Sequence, residues 1–131
     1  MDYLMDTHTI IWALTQPEKL SEQTRKIILD NNADIFYSPI SIWEIAIKYS
    51  IGKLNLLGGT PTDLMAALDE EPFECLDVFP GIWAQSYELP RLHTDLFDHL
   101  LVWEAFTNNL TLLSADKKLC AYESEGLRII A

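Results

Sequence analysis

The chain has 131 residues, 49% of them hydrophobic, which is enough for one domain with a substantial core. Twenty acidic residues against nine basic ones give a net charge of −11, so the broad basic surface that tight non-specific nucleic-acid binding requires is excluded. No apolar run approaches the ~18–20 residues of a membrane span, and the first residues lack the pattern of a signal peptide, so we expect a cytoplasmic protein without membrane contact.

The cysteines and histidines do not form a metal-binding pattern. Cys75 and Cys120 lack the spacing of a ligand pair, and we expect two reduced thiols. His8, His93 and His99 show no HExxH pairing, so zinc is not expected.

In its first half the chain alternates short apolar strands with helices. A strand is predicted over residues 2–5, and the helix after it ends at Pro17. Ser21 is a predicted N-cap for a second helix, which a strand at 35–38 follows. The next helix contains Ser41 and Glu44 and has Gly52 as its C-terminal stop.

The second half continues the same alternation. The segment from Thr60 has the composition of a helix start with proline at the first helical position. The remaining predicted elements are a strand at 73–78, a short helix between Pro80 and Pro90, a longer helix at 95–109, a strand at 110–114, a short helix at 117–122 and a strand at 127–131. The pattern predicts an α/β protein with a small, mostly parallel central sheet between helices.

Four acids, Asp6, Glu44, Asp98 and Asp116, lie beside apolar runs, where an unpaired charge is costly. Asp6 directly follows the first predicted strand, Asp116 follows the fourth, and Glu44 opens the helix after the second. Asp98 extends the apolar stripe of the long helix. Because ligand sites of open α/β sheets lie at the carboxyl ends of the strands, we expect the acids to meet there and to bind Mg²⁺ or Mn²⁺. Without metal, at least one of them should have a raised pKa.

Each acid also has a structural alternative. Glu44 forms a capping-box pattern with Ser41, and Asp6, Asp98 and Asp116 each lie where a helix begins. Four capping acids need not fall on one edge of a sheet, so the combination favours a metal site.

Several polar neighbours accompany the acids. Lys48 lies one helical turn after the glutamate and either pairs with it or contacts phosphate. Thr7 and Ser114 are placed to hydrogen-bond the acids or bridging waters, and they are tentative substrate contacts. We expect His8 and His99 to be solvated.

Three segments of the chain resemble PIN-domain ribonucleases, and most closely the VapC-like toxins of bacterial type II toxin–antitoxin pairs. They are residues 4–8 (LMDTH), 38–54 (SPISIWEIAIKYSIGKL) and 93–101 (HTDLFDHLL). The resemblance runs the whole length of the chain, and the Ser-Ile-Trp-Glu segment is its most specific part.

The resemblance implies a three-layer α/β/α sandwich, with residues 1–131 forming a single PIN-like nuclease domain. The family's acids map to Asp6, Glu44, Asp98 and the more variable fourth position Asp116, which would act as catalytic and metal-binding residues. It further implies an endoribonuclease that cleaves single-stranded or looped RNA with Mg²⁺ or Mn²⁺. It also implies a homodimer and a small antitoxin whose C-terminal segment lies across the active-site groove.

The chain departs from the family pattern at three positions around these acids. Leu96 replaces a proline, His99 replaces an arginine, and Ala115 stands where the family tends to have a base. No predicted metal ligand is lost, but the base-poor surroundings leave Lys48, Lys53 and Lys117 as the main candidates to contact the RNA backbone. The remaining alternative to an enzyme is a non-catalytic PIN-like module that only binds protein.

Overall fold

A five-stranded parallel sheet forms the centre of the computed structural model, which describes residues 1–131. The strand order is β3-β2-β1-β4-β5, and every neighbouring pair is parallel. The strands are β1 (Asp2–Met5), β2 (Asp34–Tyr37), β3 (Glu74–Cys75), β4 (Thr111–Leu113) and β5 (Ile129–Ile130). The predicted α/β class and parallel sheet are confirmed.

Helices connect the strands. They are α1 (Thr7–Thr15), α2 (Glu22–Leu29), α3 (Pro39–Ser50), α4 (Pro61–Asp69), α5 (Pro80–Ala84) and α6 (Leu96–Thr107), with 3₁₀ segments at Pro17–Lys19, Gln85–Glu88 and Lys117–Glu125. The longest helices have 12 residues, and none is both long and apolar enough to span a bilayer.

The sheet separates two hydrophobic cores. Successive side chains of a strand point to opposite faces, so Leu4 and Leu112 pack in one core while Met5 and Leu113 pack in the other. Helix α6 contributes to the first core through residues such as Leu101, and α1, α3 and α4 contribute most of the helical part of the second. Helices on both faces of the sheet give the predicted three-layer α/β/α sandwich.

The strand order reverses between β1 and β4. From β1 the chain moves to β2 and then β3 on one side, and it later returns to place β4 and β5 on the other. The segments that leave the carboxyl ends of β1 and β4 therefore diverge, which opens a crevice between them. Asp6 follows β1 directly, and Ser114 follows β4.

Several predicted boundaries are wrong. The strand expected at 73–78 pairs over two exposed residues only, because β3 is an edge strand with β2 as its single neighbour. The closing strand is likewise two residues long. The short helix expected at 117–122 is a 3₁₀ segment extending to Glu125.

The structural alternative considered for Glu44, a capping box with Ser41, is ruled out. Helix α3 begins at Pro39, and the hydroxyl of Ser38 caps it by accepting a hydrogen bond from the Ile40 N–H at 3.2 Å. Glu44 therefore lies in the second turn of the helix, beyond the reach of a capping box. The capping box of this chain is at Thr60 and Asp63, where α4 begins as predicted.

Candidate metal centre

The four predicted acids line one cavity of about 380 Å³ at the carboxyl edge of the sheet. Asp6 reaches it from the end of β1, Asp116 from the segment after β4, Glu44 from α3 and Asp98 from the first turn of α6. Residues up to 110 positions apart in sequence are thus brought together by the strand order, as the sequence predicted.

Asp6 is a buried carboxylate held at both oxygens. Its Oδ1 accepts from the Thr9 N–H at 2.8 Å and caps α1, while its Oδ2 accepts from the Ser114 hydroxyl. Burial raises the pKa of Asp6, and the hydrogen bonds from Ser114 and Thr9 offset part of that rise. The Ser114 oxygen also accepts from the backbone N–H of Asp116 at 3.1 Å, so one hydroxyl links two of the acids.

Glu44 is 3% exposed and is also engaged at both oxygens. The Thr7 hydroxyl donates to Oε1, and the Lys48 ammonium pairs with Oε2. Lys48 also lies 3.9 Å from an Asp95 oxygen and 5.9 Å from the centre of the Phe97 ring. Burial opposes the charge of Lys48, but the hydrogen bond and charge of Glu44 outweigh it and raise the pKa of the ammonium.

Asp98 is the carboxylate most affected by the crowding of charge. Burial, and then the negative charges of four neighbouring carboxylates, raise the pKa of Asp98 to about 7. No protein group donates a hydrogen bond of standard length to its oxygens. The raised pKa expected for one acid of the cluster is confirmed here.

His93 belongs to the same cluster, and the sequence reasoning gave it no role. Three potential ligand atoms lie within 4.8 Å of one another, one from each of His93, Asp98 and Asp116. Its Nδ1 accepts from the Asp95 N–H at 3.1 Å, so the neutral ring carries its proton on Nε2. Nε2 is buried without a hydrogen-bond partner, 3.4 Å from Asp98 and 3.8 Å from Asp116. The position of His93 at the start of the 93–101 motif was the available signal.

His99, by contrast, does not belong to the site. It was expected to be solvated but is buried, with Nε2 3.1 Å from the Ser86 carbonyl oxygen and Nδ1 3.5 Å from the Tyr122 hydroxyl. His8 is exposed, as expected, and lines the cavity.

Not all of the residues predicted to contact substrate lie at the central cavity. Thr7 and Ser114 are buried and their hydroxyls are hydrogen-bonded to the acids, which matches the first of the two roles considered for them. Lys48 lines the cavity and pairs with the glutamate, and Lys53 lines an adjoining cavity. Lys117 is exposed and lies outside these cavities, whereas its neighbour Lys118 lines the central one.

The residues present fit a hard divalent cation. Five carboxylates line the cavity (Asp6, Glu44, Asp95, Asp98 and Asp116), against two lysines (Lys48 and Lys118). The excess of negative charge that raises the pKa of Asp98 is what a bound cation would relieve. Carboxylate oxygens are the ligands that Mg²⁺ and Mn²⁺ prefer.

The fold and the site together define a PIN domain. Residues 3–124 match the PIN domain family, and the chain therefore belongs to it. No curated protein matches the chain significantly.

Solved structures with the same fold include two VapBC complexes and one Fit complex. VapBC2 from Rickettsia felis, bound to a DNA fragment from their promoter, gives a TM-score of 0.70 at 20% identity over 99% of this chain and 98% of that chain. VapBC-1 from nontypeable Haemophilus influenzae gives a TM-score of 0.65 at 20% identity over 99% of this chain and 97% of that chain. FitAcB from Neisseria gonorrhoeae gives a TM-score of 0.59 at 18% identity over 100% of this chain and 97% of that chain. At these identities the similarity shows the fold, and the PIN-like prediction is confirmed.

Proposed function

We propose that this protein is a metal-dependent endoribonuclease that hydrolyses RNA phosphodiester bonds and is the toxin of a type II toxin–antitoxin pair. In this proposal residues 1–131 act as a single nuclease domain in the cytoplasm. The observation that carries the proposal is the convergence of Asp6, Glu44, Asp98 and Asp116 on one cavity at the switch point of the sheet. Membership of the PIN family and the fold shared with VapBC structures support it.

The proposed cofactor is Mg²⁺ or Mn²⁺, held by the four acids directly or through water. When bound, such a cation activates a water molecule and stabilises negative charge on a phosphate. Asp98 and Asp116 are the best-placed direct ligands because Asp98 has no strong protein donor and an Asp116 oxygen lies close to it. Asp6 and Glu44, both held by protein donors, complete the negative pocket and orient its polar groups.

The chain's own side chains preorganise this pocket. Ser114 fixes Asp6 relative to the backbone of Asp116, and Thr7 fixes one oxygen of Glu44. These bonds are buried, so the carboxylates keep their places before any ligand arrives. His93 presents its Nε2–H toward the same space and is an additional donor for a phosphate oxygen.

We also propose a cognate antitoxin as a partner and a homodimer as the assembly. The similar fold of the VapBC2, VapBC-1 and FitAcB structures supports an antitoxin partner, and a cavity with five carboxylates is suited to a basic antitoxin segment. For the homodimer, Trp43 is 57% exposed in contact with Phe97, and the adjacent Leu96 is 64% exposed. These side chains are an apolar surface for a second copy.

The test is cleavage of RNA by purified protein carrying Asp6→Asn. Asparagine is as good an N-cap as aspartate, so α1 should remain intact while the charge is lost. Wild-type protein should cleave single-stranded RNA with Mg²⁺ or Mn²⁺ and stop with chelator, and the variant should lose about 100-fold or more in rate. Asp77→Asn, at an exposed acid outside the cavity, is the control. Growth arrest on expression of the wild-type protein and of the variant is the second measurement. If the Asp6→Asn variant still cleaves RNA and still arrests growth, the nuclease proposal is wrong.

The second candidate is a non-catalytic PIN-like module that binds protein. It is favoured by one observation, the Lys48 ammonium that pairs with Glu44 and supplies part of the positive charge a cation would bring. In that case wild-type protein should bind its partner and cleave no RNA at any Mg²⁺ or Mn²⁺ concentration. Asp6→Asn should then leave partner binding unchanged.

A further inference from the structure

The central cavity is part of a longer groove. A second cavity, of about 360 Å³, shares Thr7, His8, Glu44, Lys48 and Asp95 with it. A third cavity, of about 260 Å³, adjoins it at Trp12 and Ala115. Through these shared residues the three cavities are contiguous, and together they are called the groove.

The charges along this groove are arranged by position. Lys53 has the only charged side chain that the second cavity adds to the central one, and Lys19 has the only one that the third adds. Lys48 and Lys118 line the middle, beside the carboxylates. Four of the nine basic residues of an otherwise acidic chain therefore line these contiguous cavities, and each adjoining cavity adds one lysine.

Trp12 lies where the central cavity meets the third one. Its indole is partly buried and packs against a hydrophobic core, so the ring is held in place. The exposed imidazole of His8 lies one turn earlier on α1, with ring centres 5.8 Å apart and planes tilted by 57°. A fixed aromatic ring at the edge of a polar groove is a stacking platform for an unpaired base.

We propose that this groove binds a single strand of RNA, with a base stacked on Trp12 and backbone phosphates at Lys19 and Lys53 in the two cavities that adjoin the acid cluster. The identity of the strand as RNA rests on the proposed nuclease function. The lysines of the two adjoining cavities match a polyanion, and a duplex keeps its bases stacked and unavailable to the indole. A polyanion with free bases fits both features, once a cation neutralises the middle of the groove.

Two pairs of variants test this binding mode. Trp12→Leu removes the stacking surface but keeps an apolar side chain in the core, and Trp12→Phe restores an aromatic face. Lys19→Ala removes a groove charge, and Lys26→Ala removes an exposed lysine of α2 outside the groove. The probe is a fluorescein-labelled uridine oligomer of about 12 nucleotides. Binding is followed by anisotropy with Ca²⁺ replacing Mg²⁺, and the strand is checked for cleavage on a gel.

Trp12→Leu should weaken binding by about 5- to 100-fold, while Trp12→Phe stays within about threefold of wild type. Lys19→Ala should lower the slope of log affinity against log salt by about 0.7, and Lys26→Ala should leave it unchanged. Wild-type affinities for Trp12→Leu and an unchanged slope for Lys19→Ala overturn the proposal, as does failure of the wild-type protein to bind the oligomer. Lys19 is exposed, so its variant gives the answer even where Trp12→Leu does not fold.

This outcome is separable from that of the nuclease proposal. If the protein binds the oligomer with the expected dependence on Trp12 and Lys19 but never cuts it with Mg²⁺ or Mn²⁺, the proposed binding mode stands and the nuclease proposal fails. If the protein cuts RNA equally well with and without these two side chains, at unchanged KM, the nuclease proposal stands and the proposed binding mode fails.

Discussion

At the scale of single residues, Ser114 connects the two sides of the candidate metal centre. Its hydroxyl donates to Asp6 after β1 and accepts from the backbone of Asp116 after β4, so the two strand ends share one hydrogen-bond relay. The side chain is 3% exposed, and water cannot replace the bond freely. The relative placement of two acids therefore depends on a residue that carries no charge.

Ser114→Ala should consequently weaken cation binding while leaving all four carboxylates in place. Loss of an outer hydrogen bond to a metal ligand typically costs about 10- to 100-fold in metal affinity. The measurement is the Mg²⁺ or Mn²⁺ concentration that gives half-maximal RNA cleavage, with Ser124→Ala on the exposed surface as the control. An unchanged metal requirement would show that the relay does not matter.

Asp98 predicts a pH dependence of stability. In the folded protein the pKa of Asp98 is about 7, whereas the pKa of an aspartate in the unfolded chain is about 3.9. Between these values the folded state holds the extra proton, so this residue's contribution to the stability of metal-free protein falls as the pH rises from about 4 through about 7.

Asp98→Asn removes this dependence. In chelator the variant should be more stable than wild type above pH 7, by up to about 4 kcal/mol for a pKa difference of about three units, and the difference should shrink toward pH 4. Urea denaturation across that range measures it, with Asp77→Asn as the matched control. Added Mg²⁺ should stabilise the wild-type protein most at high pH and the variant little. If the stability difference between Asp98→Asn and wild type is the same at every pH, the raised pKa is not that of Asp98.

At the scale of elements, helix α3 carries both a buried acid and its counter-charge one turn apart. Glu44 faces the cavity, and Lys48 folds back onto it while also approaching Asp95. The pairing is the first of the two roles that the spacing predicted for Lys48. It explains how α3 tolerates a buried carboxylate without a bound cation.

Lys48→Met should therefore destabilise the protein in chelator by about 1–3 kcal/mol, because one oxygen of Glu44 loses its partner in a buried place. Mg²⁺ should restore more stability to this variant than to wild type, since a cation supplies the missing charge. Denaturation with and without Mg²⁺ gives both values, and Lys53→Met is the control. Equal effects of the two substitutions would contradict the role of the pair.

Much of the element pattern could be predicted from sequence, and the errors have physical causes. Long periodic helices and the two buried central strands were predicted because their apolar spacing is set by burial on the sheet. The edge strand β3 was overextended because its pairing depends on a neighbour that the sequence does not show. Ser41 and Glu44 match a capping box in spacing, but Ser38-Pro39 starts the helix three residues earlier.

The candidate site shows the same division. Topology placed the four acids at one edge because parallel strands deliver their carboxyl ends together. The role of His93 was missed because it depends on a loop whose path places Nε2 between Asp98 and Asp116. Lys118 lines the cavity in place of Lys117 because the segment after Asp116 turns as a 3₁₀ helix, which changes the direction of successive side chains.

At the scale of the whole molecule, the net charge of −11 conflicts with RNA binding only when the charge is averaged over the surface. The bases are few but concentrated, since Lys19, Lys48, Lys53 and Lys118 line one groove. In the proposed mechanism, the acids of the same groove need a cation before a phosphate can approach. Cation binding is therefore the step on which the rest of the proposed chemistry depends.

The most direct test of this dependence is Mn²⁺ binding followed by electron paramagnetic resonance of the free ion, without RNA present. Wild-type protein and Asp77→Asn should bind Mn²⁺ alike, and Asp98→Asn and Asp116→Asn should each bind it about tenfold more weakly or worse. Mg²⁺ should compete for the same site. If Asp98→Asn and Asp116→Asn bind Mn²⁺ as tightly as wild type, the four acids do not form a metal centre and the proposed nuclease mechanism is wrong.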